Sequence, residues 1–319
     1  MPVSPLLGRS LLRVTDLTAV ELNTLLSLAI RLKGVPLRDQ FTLLRGRTLI
    51  MLFEQPSLRT RVSFEVGIAQ LGGQAIVASG DEFMLGSRES PEDAARSLAR
   101  YADAIMIRTY NHQLLERLAG ASTVPVINGL SQQAHPCQAL ADLLTIRERF
   151  GTLEGLRLAY IGDGRNNVAQ SLAEAAALAG VSITFGCPAT HRPSDAFLAK
   201  LVQLGGAHDI TARAFTSPIR AAKEVDVVYT DIWTSMGDEQ YIERNAAALL
   251  SYQVNEKLMR AAAKHAIFMH CLPAHRGEEV TDGVIDGIQS VVFDQAENRM
   301  HAQKALLLAL LTDLRGFEL

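Results

Sequence analysis

The chain has 319 residues, of which 48% are hydrophobic, so it is long enough to form one large or two medium-sized domains with buried cores. Its 31 basic and 34 acidic side chains give a formal net charge of −3, and no basic excess indicates a nucleic-acid-binding surface. The longest purely apolar run, Ala305–Leu311, is far shorter than a membrane span, so no membrane insertion is predicted.

The N-terminal segment and the cysteines indicate a cytoplasmic protein. Arg9 and Arg13 interrupt the first apolar residues, which argues against a signal peptide. Cys137, Cys187 and Cys271 lie far apart without a C-x-x-C pair, so neither a disulfide framework nor a zinc site is predicted. The histidines lack the i, i+4 spacing of helical metal ligands. We therefore expect a reducing location, no metal and no other cofactor.

Short apolar runs alternate with helix-length segments along the chain. The runs predict nine strands: Thr48–Phe53, Gln74–Ala78, Ala104–Ile107, Pro125–Asn128, Arg157–Ile161, Ser182–Phe185, Asp226–Thr230, Ala266–Met269 and Ser290–Phe293. The helix-length segments include Leu58–Leu71, Pro91–Tyr101, Pro136–Phe150, Val168–Ala179, Asp195–Leu204, Asn255–Ala263 and Arg299–Leu314. This alternation predicts an α/β fold with helices on both faces of parallel sheets. Nine strands are many for one sheet, so we predict two domains, residues 1–150 and 151–319, each a parallel β-sheet flanked by helices.

The first polar motif, Ser57-Leu58-Arg59-Thr60-Arg61, stands where a predicted strand gives way to a helix. A helix start presents unpaired N–H groups and the positive end of the helix dipole. Hydroxyls and guanidiniums added there make a site for a compact oxyanion, usually phosphate. For such a motif standing alone, a capped helix with solvated arginines is the more common explanation.

Two further strand ends carry polar residues in the first half of the chain. One predicted strand ends at Arg108, and another leads to His135 and Gln138. Ligands of parallel α/β sheets bind at the carboxyl ends of strands. An arginine at a strand end is often solvated, and a histidine before a helix is often a cap. Their convergence on one edge nevertheless predicts a site for a dianionic phosphate.

In the second half, Gly162-x-Gly164 after a predicted strand suggests dinucleotide binding. Asn167 replaces the third glycine of G-x-G-x-x-G, and the acidic residue expected about twenty positions later is not evident. That fingerprint is therefore weak. Asn167 instead indicates a polar group offered to a ligand at the start of a helix.

The last two polar strand ends carry Asp231, with Ser235 close behind it, and His270-Cys271. An Asx turn explains Asp231 equally well when it is considered alone. Because neighbours on a strand point to opposite faces, His270 cannot activate Cys271 by adjacency alone, and we prefer an orienting role for the thiol.

These residues together favour group transfer between a phosphorylated donor and an amine. The first half offers an anion site, and the second offers Asn167, Asp231 and Ser235, which suit an amine and an amino-acid head group. No metal site, Walker loop or activated serine is recognisable in the sequence. The chemistry is therefore expected to depend on positioning and charge stabilisation.

Five motifs resemble, in the same order, those of the aspartate/ornithine carbamoyltransferase family. They are Pro56-Ser57-x-Arg59-Thr60-Arg61, His135-Pro-x-Gln-x-Leu-Ala-Asp142, Asp231-x-Trp-x-Ser-Met-Gly237, His270-Cys-Leu-Pro273 and Arg299-x-His-Ala-Gln-Lys304. The first two are shared with aspartate carbamoyltransferases and specify only carbamoyl phosphate, whereas S-M-G and H-C-L-P are characteristic of the ornithine branch. The resemblance extends from about residue 45 to the end of the chain. It implies carbamoyl transfer from carbamoyl phosphate to the δ-amine of L-ornithine, giving L-citrulline and phosphate.

The resemblance also implies a role for each matching residue. The phosphate would be held by Ser57, Leu58, Arg59, Thr60 and Arg108. The carbamoyl oxygen would be polarised by Arg108, Thr60 and His135, and the carbamoyl group oriented by Gln138, Arg299 and the backbone carbonyls of Cys271 and Leu272. Ornithine would be held by Asn167, Asp231, Ser235 and Met236. The catalytic residues would be Arg108, His135, Thr60 and Cys271. The family further implies a homotrimer and a last helix, within 299–319, that packs onto the first domain.

Two positions depart from the family pattern. Leu58 occupies a position that is often threonine, but the contacts there are partly made by the main chain. Met84 stands where the family commonly has a glutamine or histidine that reaches the carbamoyl phosphate of a neighbouring subunit. A thioether cannot donate a hydrogen bond, so weaker carbamoyl phosphate binding is expected unless Ser87 or Arg88 compensates.

Three alternatives to ornithine carbamoylation are compatible with parts of the sequence. A relative that uses another amine, such as putrescine, would differ in the acceptor only, and Asp231 with the S-M-G loop argues against it. A nicotinamide-binding oxidoreductase is possible on fold alone and would bind NAD. A ligand-binding relative without activity would lack a catalytic side chain, and none but the Met84 contact is missing.

Overall fold

The computed structural model describes residues 5–83, 85–233 and 247–314, with only the backbone at Asp81. Met84, Ser235 and Met236 lie outside the described residues. The chain forms two compact units, one of Met1–Leu144 with Asn298–Leu319 and one of Thr145–Glu297. In the described ranges, no helix is long and apolar enough to cross a membrane.

The first unit contains a four-stranded parallel sheet. Its strands are β1 (Thr48–Phe53), β2 (Gln74–Ser79), β3 (Ala104–Arg108) and β4 (Val126–Leu130), in the order β2-β1-β3-β4. The central strands β1 and β3 are almost wholly apolar and buried, as expected for parallel strands covered on both faces. The helices of this unit are Ala19–Gly34, Leu37–Gln40, Leu58–Gln70, Gly80–Phe83, Pro91–Leu98 and His112–Ala121.

The second unit contains a five-stranded parallel sheet. Its strands are β5 (Arg157–Ile161), β6 (Ser182–Gly186), β7 (Ala212–Phe215), β8 (Val227–Thr230) and β9 (Ile267–His270), in the order β7-β6-β5-β8-β9. Its helices are Asn167–Leu178, Asp195–Gly205, Pro218–Ala221, Glu256–Met259 and Asp282–Ile285. The unit boundaries at Leu144 and Glu297 fall inside the two remaining long helices, Pro136–Phe150 and Val292–Leu311. The predicted α/β fold with two parallel sheets is confirmed.

One predicted strand is wrong and one strand was missed. Ser290 makes a single bridge to Phe268, where Val291 N donates to the Phe268 carbonyl, and the helix Val292–Leu311 begins immediately afterwards. The valines and the phenylalanine there resemble a strand, but Val292 is buried whereas Phe293 lies on the exposed side of the new helix. The missed strand is β7, an edge strand whose alternating Ala-Arg-Ala-Phe sequence has no continuous apolar run.

The helix predictions were less complete than the strand predictions. The helices Ala19–Gly34 and His112–Ala121 were not predicted, and the predicted helix Asn255–Ala263 is only Glu256–Met259. The predicted last helix, Arg299–Leu314, begins seven residues earlier and ends at Leu311. The missed first helix carries a readable signal, because Thr18 Oγ1 accepts from Glu21 N and Glu21 Oε2 accepts from Thr18 N, a capping box.

Parallel pairing brings particular strand ends together in each unit. In the first sheet, the carboxyl ends of β1, β3 and β4 lie side by side, and these strands lead to Ser57, Arg108 and His135. In the second sheet, the neighbouring strands β5, β8 and β9 lead to Asn167, Asp231 and Cys271. Both groups are therefore where ligands of parallel α/β sheets bind.

Candidate active site

The start of the helix Leu58–Gln70 leaves its first N–H groups available. Ser57 is the N-cap, but its side chain accepts no backbone hydrogen bond; instead its hydroxyl donates to Thr60 Oγ1 over 3.0 Å. The helix ladder begins with Arg61 N, which donates to the Ser57 carbonyl. The N–H groups of the preceding residues thus face outward, as at an anion-binding helix start. The Leu58 side chain is apolar and 75% exposed, so the backbone N–H is the group of this residue that can bind an anion.

Arg299 connects three parts of the first unit. Its Nη1 donates to Gln138 Oε1 over 2.7 Å, and its Nη2 donates to Thr60 Oγ1 over 2.8 Å. Gln138 Nε2 donates to Asp142 Oδ1 over 2.8 Å, which fixes the orientation of the amide. Thr60 and Gln138 are 1% exposed and Arg299 is 6% exposed. The last helix therefore delivers a buried guanidinium to the helices that begin near Ser57 and Pro136.

The hydrogen bonds of Thr60 leave one specific atom for a ligand. Its hydroxyl oxygen accepts from both Ser57 and Arg299, which occupies both lone pairs. The hydroxyl hydrogen remains, so Thr60 can serve a ligand as a donor.

His135 is a neutral imidazole in this site. Burial lowers its pKa well below the usual value, and the nearby charges of Arg299 and Arg108 lower the pKa further. Arg108 and Arg299 are therefore close enough to His135 for their charges to act on its ring. A neutral ring donates from one nitrogen without adding a third positive charge. Arg108 itself ends β3 at a register irregularity in the β3–β4 pairing.

Residues that the sequence analysis did not single out shape the loops of this edge. Glu54 Oε2 accepts from Thr109 Oγ1 and from Tyr110 N, which ties the chain after β1 to the chain after β3. Asn128 Nδ2 donates to the carbonyls of Leu12 and Ala134, over 2.8 and 3.2 Å, just before His135. The sequence signal for Glu54 and Thr109 is their position directly after the strands β1 and β3.

Of the predicted first-unit residues, Ser57, Thr60, Gln138 and Arg299 form one connected set, and Arg108 and His135 lie beside it. Arg59 is half-buried on the first turn of the same helix. Arg61, also in the motif, points outward and pairs with Glu65 one turn later.

In the second unit, Asp231 and Cys271 meet at the ends of β8 and β9. Cys271 Sγ donates to Asp231 Oδ1 over 3.0 Å, and the same oxygen accepts from Ile232 N over 2.8 Å. Asp231 is buried, whereas Cys271 is partly exposed. The other two cysteines are buried, and burial raises the pKa of the Cys137 thiol and of the Cys187 thiol to about 12.

Asn166, the neighbour of the predicted Asn167, contacts Asp231. Asn166 Nδ2 donates to Asp231 Oδ2 over 3.3 Å, while its Oδ1 accepts from Ala169 N and caps the helix Asn167–Leu178. Asn167 is the first residue of that helix and is partly exposed. The adjacent N-N pair before a helix is visible in the sequence, but the contact of Asn166 with Asp231 depends on side-chain direction.

Tyr160 is a further residue of this pocket that the sequence analysis missed. Its buried phenol hydrogen-bonds Asn166, and its ring stacks on Tyr229 with the centroids 5.8 Å apart. Burial, then the charges of Asp231, Cys271 and Asp163, raise the pKa of Tyr160 well above its usual value. The phenol thus stays protonated beside the Asp231 carboxylate.

The cluster Asp231, His270 and Cys271 has the composition of a metal site, and within the described residues these ligand atoms lie within 4.8 Å of one another. The imidazole is already engaged, however. His270 Nδ1 accepts from Leu272 N over 2.9 Å, and Nε2 lies 3.2 Å from Glu279 Oε1. Binding a metal through Nδ1 would therefore break the hydrogen bond from Leu272 N.

Two family models match the chain. The carbamoyl-P binding domain of the aspartate/ornithine carbamoyltransferases matches residues 9–148, and the Asp/Orn binding domain matches residues 154–310.

Relatives named ornithine carbamoyltransferase match almost the full length. The one from Anoxybacillus flavithermus is 49% identical over 305 residues, 95% of this chain and 97% of its own. The anabolic one from Pyrococcus furiosus is 47% identical over 310 residues, 96% of this chain and 97% of its own. The solved structure of ornithine carbamoyltransferase from Pyrococcus furiosus superimposes with a TM-score of 0.91 at 46% identity, covering 98% of this chain and 99% of that one.

Proposed function

Since the chain belongs to the aspartate/ornithine carbamoyltransferase family, we infer that it transfers the carbamoyl group of carbamoyl phosphate to the δ-amine of L-ornithine, giving L-citrulline and phosphate. The observation that carries this conclusion is that nearly the whole chain, including both family domains, matches relatives named ornithine carbamoyltransferase. The chain is thus an enzyme, and its two small-molecule substrates are the donor and the acceptor.

We propose that the first unit binds carbamoyl phosphate. Ser57, Arg59 and the first N–H groups of the helix Leu58–Gln70, including that of Leu58, would hold the phosphate together with Thr60 and Arg108. The outward N–H groups and the half-buried Arg59 support this assignment. Gln138 and Arg299, which are hydrogen-bonded to each other, would orient the carbamoyl group.

The oxyanion of the reaction would be met by three donors. When the neutral δ-amine attacks the carbamoyl carbon, negative charge develops on the carbamoyl oxygen. Arg108, the remaining Thr60 hydrogen and the neutral His135 are donors placed before the reaction starts, which is how electrostatic stabilisation lowers a barrier. The C–O bond to phosphate then breaks, and the nitrogen gives up a proton.

The second unit would bind ornithine. Asp231 would attract the acceptor's positive charge, with Asn167, Ser235 and Met236 completing the site as the family pattern implies. Cys271 would be catalytic, and the carbonyls of Cys271 and Leu272 would orient the carbamoyl group, as the family pattern implies. The hydrogen bonds of Asp231 to Cys271 and Asn166 support a fixed carboxylate in this role. In domain terms, residues 1–150 with the last helix would serve carbamoyl phosphate, and residues 151–319 would serve ornithine.

We also propose a cytoplasmic homotrimer whose product serves arginine biosynthesis. Free cysteines at all three positions support a reducing location. Val62 and Val66, exposed on the helix Leu58–Gln70, and Ile76, exposed on the edge strand β2, support burial against another copy. Light scattering on a size-exclusion column tests the trimer, and a single-copy mass would contradict it.

The decisive test of function is a citrulline assay with carbamoyl phosphate and ornithine. Putrescine serves as the alternative acceptor in a parallel assay, and NAD titration tests the oxidoreductase alternative. We expect citrulline with ornithine and at least a hundredfold lower kcat/KM with putrescine, because losing contacts to the acceptor's amino-acid head group removes roughly 3 kcal/mol or more. No citrulline between neutral and alkaline pH would refute the inference.

A further inference from the structure

The backbone at Leu272 has a conformation that its neighbours must hold. Leu272 has φ +57, and within the described residues only Glu224 shares a positive φ among non-glycine residues. Such a conformation persists in an L-residue only where the surrounding structure over-determines it, and it is common at functional sites. The carbonyls of Cys271 and Leu272 are the groups assigned above to the carbamoyl group.

Three buried polar side chains converge on this segment from different elements. His270 Nδ1 accepts from Leu272 N over 2.9 Å. Gln295, on the last helix, accepts from His270 N through Oε1 over 2.9 Å. Glu279 Oε1 lies 3.2 Å from His270 Nε2 and also accepts from His275 N over 2.6 Å. His270, Glu279 and Gln295 are each 0% exposed.

The hydrogen bond from Leu272 fixes the proton of the imidazole. Because Nδ1 accepts, the ring hydrogen of His270 lies on Nε2, which is the atom that faces the Glu279 carboxylate. A carboxylate oxygen 3.2 Å from Nε2 favours that tautomer electrostatically, because it attracts the hydrogen on Nε2. If the hydrogen moved to Nδ1, Leu272 N would lose its acceptor.

We propose that His270, Glu279 and Gln295 are positioning residues of the carbamoyl transfer, which fix the backbone conformation of Cys271 and Leu272. The inference rests on the proposed function for what the carbonyls of these two residues bind. None of the three side chains touches a substrate in that mechanism. They act through the backbone of Cys271 and Leu272. Apolar side chains could fill the same space without orienting the backbone, so a fully buried polar set indicates a need for orientation.

Two variants of one residue separate orientation from mere packing. His270→Asn places its amide oxygen near the former Nδ1 and can still accept from Leu272 N. His270→Gln places its amide nitrogen near the former Nε2 and keeps a donor for Glu279, but it removes the Leu272 acceptor. Both lose packing, so both should melt at lower temperature than the wild type.

We expect the two variants to differ in carbamoyl phosphate binding and in kcat. In His270→Gln, the affinity for carbamoyl phosphate, measured by calorimetry without ornithine, and the kcat for citrulline should each fall about tenfold or more, as for a lost buried hydrogen bond. In His270→Asn, both should stay within about threefold of the wild type. Binding of inorganic phosphate should be equal in all three proteins, because the phosphate residues lie in the other unit.

A measurement on the wild type avoids any folding defect of the variants. Long-range ¹H–¹⁵N spectra of protein labelled at histidine should show His270 as the Nε2-protonated tautomer. A hydrogen on Nδ1, or equal losses in the two variants at matched stability, would overturn the proposal. A wild type with the expected tautomer but no citrulline would instead refute the proposed function, so the two failures are distinguishable.

Discussion

At the scale of single residues, the two arginines of the Ser57–Arg61 motif lie in different environments. Arg59 is half-buried on the first helical turn, whereas Arg61 is exposed and paired with Glu65 over 3.3 Å. A pair on an exposed helix face contributes little, because water screens it. The motif therefore contains one arginine suited to a substrate and one suited to the helix surface.

This difference gives a matched pair of variants. Arg59→Ala should raise the dissociation constant of carbamoyl phosphate by about thirtyfold or more, since a lost partner of a desolvated charge costs on the order of 2–5 kcal/mol. Arg61→Ala should change it less than about threefold. Calorimetric titration of both variants checks this, and equal losses would contradict the separation.

Asp231 offers a test of which substrate each unit binds. Asp231→Asn keeps the shape of the side chain but removes the charge proposed to attract ornithine, so the KM for ornithine should rise about tenfold or more. The affinity for carbamoyl phosphate should stay within about twofold. Initial rates at varied ornithine, with donor binding measured separately, give both numbers. A proportional loss for both substrates would indicate a structural role instead.

Lys304 shows how a buried charge makes stability depend on pH. Its Nζ donates to Gln70 Oε1 over 2.8 Å, and burial lowers the pKa of Lys304 from 10.5 to about 8. Below pH 8, the ammonium is charged in both states, and its burial cost is present in full. Between pH 8 and 10.5, the unfolded chain binds the proton and the folded chain does not, so this cost is relieved as the pH rises.

The expected result is a shift relative to Lys304→Met, which carries no titratable group. The free energy of unfolding of the wild type should gain on that of Lys304→Met as the pH rises from 8 to 10. Urea unfolding at several pH values measures the difference. A difference that does not change with pH would mean that the buried amine does not titrate in this window.

At the scale of elements, the first helix illustrates what a cap contributes. Thr18 and Glu21 exchange hydrogen bonds at the start of the helix Ala19–Gly34. Thr18→Ala should lower the free energy of unfolding by about 1 kcal/mol, in the range of roughly 0.5–2. Thr24→Ala in the same helix removes only an exposed hydroxyl that donates to the Val20 carbonyl, and it should change stability by less than about 0.5 kcal/mol. Denaturant melts of both variants test the cap; equal effects would mean that Thr18 does not act as one.

The elements also show what the sequence could predict. Parallel strands such as β1 and β5 are continuous apolar runs after their first residue, and their bounds agree with the predicted ones. The edge strand β7 has no such run, and the Ser290–Phe293 segment has one without being a strand, because a helix takes over at Val292. Whether these segments form strands depends on tertiary contacts, which the local composition does not contain.

The candidate site, like the strands, could be predicted only in part. Thr60, His135 and Asp231 follow parallel strands whose carboxyl ends lie at one edge of their sheet, so the sequence could place them at a candidate site. Asn166 and Tyr160 were missed, since their roles depend on side-chain directions that follow from packing. The support of Leu272 by His270 was missed for the same reason, although both residues stand in one motif.

At the scale of the whole molecule, the proposed mechanism gives the enzyme a defined pH profile. An amine resembling that of lysine titrates near ~10.4, and only its neutral form attacks, so kcat/KM for ornithine should rise about tenfold per pH unit between 7 and 9. Burial, and then the charges of Arg299 and Arg108, hold the pKa of His135 well below its usual value. His135 therefore adds no inflection to the pH–rate profile in this range. Initial rates in buffers of constant ionic strength test this, and a flat profile would mean that amine attack does not limit the rate.

The burial of the three thiols determines which cysteine is oxidised first. Cys137 and Cys187 are buried, and at a pKa of about 12 neither forms a thiolate under physiological conditions, so oxidants find little to react with there. Cys271 is the one thiol with partial exposure. Oxidation should therefore affect Cys271 first, and citrulline formation should be lost while the protein is still folded.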